Sequence, residues 1–260
     1  VSKFLVQPDA RNLSEGAQRA LGARIDTFQQ KMRVATYVTD CRQTQKDITA
    51  QGAEIESWLT ADFPDLPTDA DAFLTGETAD PKWSAALENI MRSKQLLEID
   101  RAFVAQYASN PNAGEIHKGH RIVLAELGLC PYDDFIPRDP NLFEGQWSKA
   151  KRAAHIITRL AFMRVLVSRL KLASVPLFRT IYSDDALLEP VNKGFVSSTF
   201  SPAVAAALFA SGQKANYAAS YWQKVPPERL FASYFETPEL SAKYAESEAV
   251  LLFDPSNKVF

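Results

Sequence analysis

Glu246-Ser247-Glu248-Ala249-Val250-Leu251-Leu252-Phe253 sets two carboxylates, one residue apart, at the head of a five-residue apolar run. A continuous apolar run of that length reads as a buried strand, here over 247–253. Side chains alternate along a strand, so Glu246 and Glu248 are expected to point the same way. An acidic pair at the mouth of a buried strand is costly unless a cation or a hydrogen-bond donor meets it. Taken alone, the pair fits a device that blunts a strand end and keeps it from pairing. The stretches upstream change that reading.

Working outward, the C-terminal third alternates strand and helix signals. Val175-Pro176-Leu177-Phe178-Arg179-Thr180-Ile181-Tyr182 is a β-run with one charge in its middle. Gly194-Phe195-Val196-Ser197-Ser198-Thr199-Phe200 is a second, rich in hydroxyls. Ser201-Pro202 caps and starts a helix through Ala203, Ala206, Leu208 and Phe209. Arg229 to Phe235 is another strand candidate, and Lys258-Val259-Phe260 begins one more. The class expected for this part is α+β.

The N-terminal part reads as a helical bundle. Leu13, Ala17, Leu21, Ile25, Phe28, Met32 and Ala35 recur at steps of three and four, predicting an amphipathic helix over about 12–40. A second helix runs through Ile48, Ile55, Trp58 and Leu59. The Asp- and Pro-rich segment 62–71 is a loop, and it lacks the central glycine and closing glutamate of a calcium loop. Asp80-Pro81 starts a helix that Trp83, Leu87, Ile90, Leu97 and Val104 extend to about Ala108. Asn110-Pro111-Asn112-Ala113-Gly114 ends it. The expected division is a helical domain over 1–110 and a second domain over 111–260.

At 260 residues and 46% hydrophobic, the chain suits one large domain or two small ones. A net charge of −2 gives no global attraction to nucleic acid or acidic membranes. No run reaches the length of a membrane span. Cys41 and Cys130 lie far apart and form no metal pattern. His117 and His120 have HxxH spacing beside Glu115, but further ligands are missing and a surface loop pair is expected. His155 is expected to be a packed or solvated histidine. Val1-Ser2-Lys3-Phe4 is no secretory signal and lacks an initiator Met, so the chain is expected to be cut from a longer one. Between Lys149 and Lys171 lie seven Lys or Arg and no acid, interleaved with Ile156, Leu160, Met163 and Val167. This basic amphipathic helix is expected to pack on the core with a solvated basic face; an anionic, phosphate-bearing ligand is the next reading.

An arginine in a β-run at 179, a hydroxyl triplet at 197–199 and a Glu-any-Glu pair at 246–248 follow one another in that order. Their order and flanks resemble the arginine–serine–glutamate class of mono-ADP-ribosyltransferases, which includes many bacterial toxins and effectors. The matching stretches are LFRTIYS, GFVSSTFSPAVAAALFA and YAESEAVLLF, over roughly 175–260. Phe178 before the arginine and Tyr244 before the first glutamate fit the family. The family's Ser-Thr-Ser is here permuted to Ser197-Ser198-Thr199, with its first serine kept.

The resemblance implies a compact ADP-ribosyltransferase-like split β-sandwich with flanking helices, and NAD as substrate with no metal. It implies that Glu248 stabilises the oxocarbenium-like ribose and that Ser197 holds Glu248. Arg179 would bind the pyrophosphate, with Thr180, Ser198 and Thr199 contributing to NAD binding. Glu246 would meet the acceptor, its pKa raised by the neighbouring carboxylate. One of Tyr217, Tyr221, Trp222 and Phe235 would pack on nicotinamide. A basic residue of the 149–171 helix would assist at the phosphates. The acceptor would be a protein side chain, on a host protein such as a small GTPase, actin or ubiquitin, with the enzyme secreted from a bacterium into host cytoplasm. An NAD glycohydrolase and an inactive binding module of the same fold are the alternatives. The helical half would recognise the target or support the catalytic half.

Overall fold

The computed structural model describes residues 40–75, 78–109, 114–132, 141–184, 194–211, 215–242 and 245–257. The helix expected over 12–40 and the strand expected from Lys258 lie outside these residues. Helix α1 (Arg42–Asp62) buries Ile48, Ile55 and Leu59 along one stripe. Helix α2 (Ala70–Thr75) begins inside the end of the loop expected over 62–71 and inserts Phe73 into the core. Helix α3 (Pro81–Ser93) starts where Asp80-Pro81 predicts. Asp80 Oδ1 accepts from the backbone N–H groups of Lys82 (2.9 Å) and Trp83 (3.0 Å), a cap worth ~1 kcal/mol. The single helix expected to Ala108 is broken. Gln95 takes φ +58, which no α-helix accommodates, and helix α4 (Leu97–Ser109) begins afresh. Helices α5 (Glu115–Glu126) and α6 (Lys149–Arg169) complete the helical part.

The strands are β1 (Val175–Ser183), β2 (Phe195–Thr199), β3 (Tyr217–Val225), β4 (Leu230–Ser233) and β5 (Glu248–Leu252). Helix α7 (Pro202–Ser211) follows β2, and the short α8 (Glu239–Ala242) precedes β5. The fold is α+β, with a five-stranded sheet of order β3-β1-β2-β5-β4 in which neighbours pair antiparallel. Strand β3 has little β-propensity at Ala218-Ala219-Ser220, and tertiary pairing along all of β1 makes it a strand. β1 and β2 share a single register pair, Phe178 with Thr199, whereas β2 pairs with β5 along its whole length. The sheet is therefore nearly parted between β1 and β2.

One buried cluster runs from Ile48 to Leu252 and draws on residues before and after 110. Phe103 of α4 meets Phe195 at 5.1 Å and Phe231 at 5.2 Å between ring centroids. Phe73 meets Phe200 edge-on at 4.9 Å, and the Tyr234 hydroxyl donates to the Phe73 carbonyl at 2.9 Å. Aromatic packing of this kind makes truncation costly, about 3–5 kcal/mol for Phe→Ala in a core. It also fixes α4 against the strand that carries Ser197.

Candidate active site

Ser197 and Thr199 lie on one face of β2, and the register sets Glu248 opposite Thr199. Ser197 is thus diagonal to Glu248, and its hydroxyl donates to Glu248 Oε1 at 2.6 Å. Arg179 lies two residues beyond Leu177 on β1, opposite Tyr221 of β3. Its Nη1 donates to the Ser197 carbonyl at 3.3 Å. The guanidinium thereby reaches across the gap where the β1–β2 ladder gives out. The structure brings Arg179, Ser197 and Glu248 together.

Glu248 is 6% exposed. Burial raises its carboxyl from 4.5 to about 7; the Ser197 hydrogen bond opposes the rise and the Glu246 charge adds to it. Glu246, half-buried, is also raised, and burial is the cause. Charge repulsion between the two, expected to lift Glu246, therefore acts mainly as a minor addition at Glu248. The shared-face expectation needs correction as well. β5 begins at Glu248, and the residues flanking Glu246 take left-handed backbone angles, Ala245 at φ +51 and Ser247 at φ +47. Glu246 sits on this turn, where strand alternation does not reach it. Thr199 Oγ1 donates to the Glu246 carbonyl at 2.5 Å, Phe200 N–H to the Ser247 carbonyl at 3.1 Å, and Glu248 N–H to Ser241 Oγ at 3.2 Å. Left-handed angles at non-glycine residues cost on the order of 1–3 kcal/mol each and cluster at functional sites.

The other expected NAD contacts separate by face. Thr180 alternates away from Arg179, and its hydroxyl donates to the Ala205 carbonyl of α7 at 3.0 Å. Ser198 alternates away from Ser197; it is 3% exposed, and its hydroxyl has no partner among the described residues. Thr199 accepts the Ser201 N–H at 3.0 Å besides holding Glu246. Among the aromatics, Tyr221 is the half-buried neighbour of Arg179. Phe235 is buried against Phe73 at 5.3 Å, and Tyr217 and Trp222 are exposed.

The basic face expected on 149–171 is largely consumed inside the protein. Arg152 and Arg159 are each 1% exposed. Arg152 donates to the carbonyls of Trp147, Ile116 and Leu142, while Lys149 pairs with Glu126 and Arg169 with Glu56. His117 and His120, expected on a surface loop, are buried on α5. Gly119 makes room there: a Cβ would stand 2.6 Å from Arg152 Cζ. One tautomer set satisfies the chain that follows. Arg152 Nη1 donates to His120 Nδ1 (2.8 Å), His120 Nε2 to His155 Nδ1 (3.0 Å), and His155 Nε2 to Asp100 Oδ1 (2.8 Å). Burial lowers both His120 and His155 below the ordinary imidazole value, so the last contact is a hydrogen bond between a neutral imidazole and a carboxylate. Asp100 also takes a bidentate grip from Arg159, at 2.6 and 2.9 Å. Arg159 Nη1 donates to Thr237 at 2.8 Å and reaches Glu236 at 3.3 Å.

Sequence reasoning missed Asp100 and Tyr107, both on α4. The helical stripe shows only that both face inward, continuing Leu97 and Val104 at steps of three and four, and not what they meet there. Tyr107 is 1% exposed and packs on Phe195, the residue two before Ser197, at 6.5 Å. A cavity of about 840 Å³ opens beside Asp100, Arg159 and Glu236, and Arg179, Ser197 and Glu248 do not line it. Its charged floor is internally paired, so its size alone does not make it the reactive site. A smaller one, about 250 Å³, borders Ala245 and Ser247. Among the described residues, no group of three or more His, Cys, Asp or Glu is placed to hold a metal, and no helix is long and apolar enough to cross a membrane. No family model matches the chain, nor does any curated protein or solved structure.

Proposed function

We propose that the protein is an NAD-dependent mono-ADP-ribosyltransferase acting on a protein side chain, with an ADP-ribosyltransferase-like split of its sheet between β1 and β2. The observation that carries this is the Ser197 hydroxyl held 2.6 Å from a buried Glu248 carboxyl, with Arg179 bonded to the same serine's backbone. A cation, a hydroxyl and a desolvated carboxylate converge where strand pairing lapses.

The chemistry uses each group. The planar Arg179 fork suits pyrophosphate oxygens. The C1′–N bond to nicotinamide breaks, nicotinamide leaves with the electron pair, and positive charge builds on the ribose. Glu248 in its ionised form stabilises that charge, the interaction that grows most in the transition state. Burial alone favours the protonated acid, and the cationic nicotinamide ring of bound NAD favours the carboxylate again. Ser197 fixes the rotamer from which Glu248 acts. The acceptor nucleophile forms a new bond to C1′ and yields its proton to Glu246, whose raised pKa suits a base.

Incubation with labelled NAD and cell lysate tests this. Wild-type protein is expected to label a lysate protein and Glu248→Ala to label none. Equal labelling by the two, or none by either, overturns the proposal. Free nicotinamide without labelled protein identifies a glycohydrolase.

A further inference from the structure

Tyr107 belongs to the helical part, yet its phenol stands among the residues of the strand site. Its ring is fixed by Phe103 at 5.8 Å, His117 at 5.3 Å and Phe195 at 6.5 Å. Phe195 and Ser197 share a face of β2, so a side chain lying on Phe195 lies beside Ser197. The Tyr107 hydroxyl is fully buried and completes no hydrogen bond among the described residues. A buried donor without a taker is costly. Ser197 offers a taker. Its single proton is given to Glu248, which leaves its two lone pairs to accept.

We propose that Tyr107 is a positioning residue of the active site, its hydroxyl donating to Ser197 Oγ so that Ser197 in turn holds Glu248. The role rests on the transferase reading. It places a residue of α4 behind the reactive carboxyl and makes the helical part necessary for the chemistry. The chain then runs Tyr107–Ser197–Glu248, with the Ser197 proton kept on the carboxyl. Hydrogen bonds in such a chain strengthen one another, which favours the ionised form of Glu248.

The charges around the pair agree with this direction. Burial raises the phenol well above its ordinary value, the Glu248 charge pushes the same way, and Arg179 and the Ser197 hydroxyl oppose them. Tyr107 therefore keeps its proton and remains a donor. The groups that act on Glu248 are Glu246 before β5, Ser197 on β2 and Tyr107 on α4, and Arg179 on β1 acts on Tyr107. His117 on α5, beside Tyr107, is pulled by burial to about 4 and stays neutral through the working range.

The decisive measurement is the titration of the Glu248 carboxyl by carbon NMR on protein labelled at glutamate side chains, with Glu248→Gln assigning the resonance. Tyr107→Phe is expected to move the Glu248 midpoint upward while the thermal midpoint stays level or rises. In a Ser197→Ala background the same substitution is expected to change nothing further. An unmoved midpoint, or an equal shift with and without Ser197, overturns the proposal. NAD turnover gives the second readout: Tyr107→Phe is expected to lower kcat roughly tenfold with KM for NAD unchanged, the size of one lost hydrogen bond. A raised KM at constant kcat overturns it. If wild type leaves NAD intact, the transferase reading fails while the titration still decides whether Tyr107 governs Glu248.

Discussion

Two buried polar clusters sit within the same core, and they are finished to different degrees. Between α4 and α6, Asp100 takes hydrogen bonds from Arg159 and His155, His155 from His120, and His120 from Arg152. Arg159 gives all three of its nitrogens to partners. Beside β2 and β5, Glu248 is lifted to about 7, and the Tyr107 hydroxyl of α4 completes no hydrogen bond among the described residues. Paired charges in the first cluster lower the carboxyl of Asp100, while burial raises Glu236 there against Arg159 and the Ser233 bonds; Glu248 is raised with the Ser197 bond opposing it. A saturated network specifies one packing of the core. Perturbed carboxyls of this kind recur at reactive sites. The fuller pairing of Asp100 fits a structural part for the first cluster, and the proposed function gives the second its chemistry, although the 840 Å³ cavity lies beside the first.

Breaking the saturated cluster should cost the most. Asp100→Ala strands Arg159 and removes the taker of the His155 proton, and removing one partner of a buried pair costs about 3–5 kcal/mol. Urea unfolding of the variant is expected to show that loss. Its pH dependence has a definite sign. Asp100 is lowered in the folded state, chiefly by Arg159 and His155 against its burial. Its contribution is therefore present above the unfolded value, near 3.9, and disappears as pH falls through the folded one. A wild-type–variant gap that stays constant from pH 7 into strong acid would refute the assignment.

The Glu248 cluster should respond in the opposite sense. Glu248→Gln is expected to cut NAD cleavage by about 10²–10³-fold, the scale of losing one preorganised electrostatic contact. It should at the same time stabilise the fold. The folded carboxyl is raised from 4.5 to about 7, so ionising it while buried opposes folding by about 3 kcal/mol above neutrality. Below pH 4.5 that penalty is absent, and it develops as pH rises to about 7. Thermal midpoints of wild type and Glu248→Gln are expected to converge at pH 4 and separate at pH 8, with the variant higher. A variant less stable at pH 8 would move Glu248 into the structural class.

How much of this contrast the sequence carried depends on the range of the interaction. The strand of Glu248, the arginine strand and the Asp80 cap were legible, because alternation, an apolar run and a capping pair are local. The break at Gln95 was not, since the apolar stripe continues across it while the backbone turns. Nor was β3, whose small residues become a strand by pairing with β1. The basic helix misled for a related reason. Seven cations without an acid read as a solvated face, but the anion for Arg159 comes from α4 and from the segment after β4, far away in sequence. Tyr107 stayed hidden because nothing in its neighbourhood along the chain distinguishes a packed tyrosine from one that stands behind Ser197.

Within the second cluster, Glu246 and Glu248 should part company. Glu246 lies on the turn between two left-handed residues and is half-buried. Glu246→Gln is expected to leave NAD hydrolysis within a few-fold of wild type and to lower transfer to protein by about 10²-fold, the ordinary contribution of a positioned base. Parallel assays of free nicotinamide and labelled protein on one sample measure both. Equal losses would place the two carboxylates in a single role.

The smallest effect tests whether neighbours in sequence share a function. Thr180 adjoins Arg179, yet its hydroxyl bonds the Ala205 carbonyl on the face covered by α7. Thr180→Val keeps the shape and removes the hydroxyl, so a loss of about 1 kcal/mol in stability is expected. The affinity for NAD, read by calorimetry, should stay unchanged, whereas Arg179→Lys should weaken it by replacing a planar fork with a point charge. If Thr180→Val weakens NAD binding as much as Arg179→Lys does, then β1 presents both side chains to the ligand, and the division of its two faces between site and scaffold is wrong.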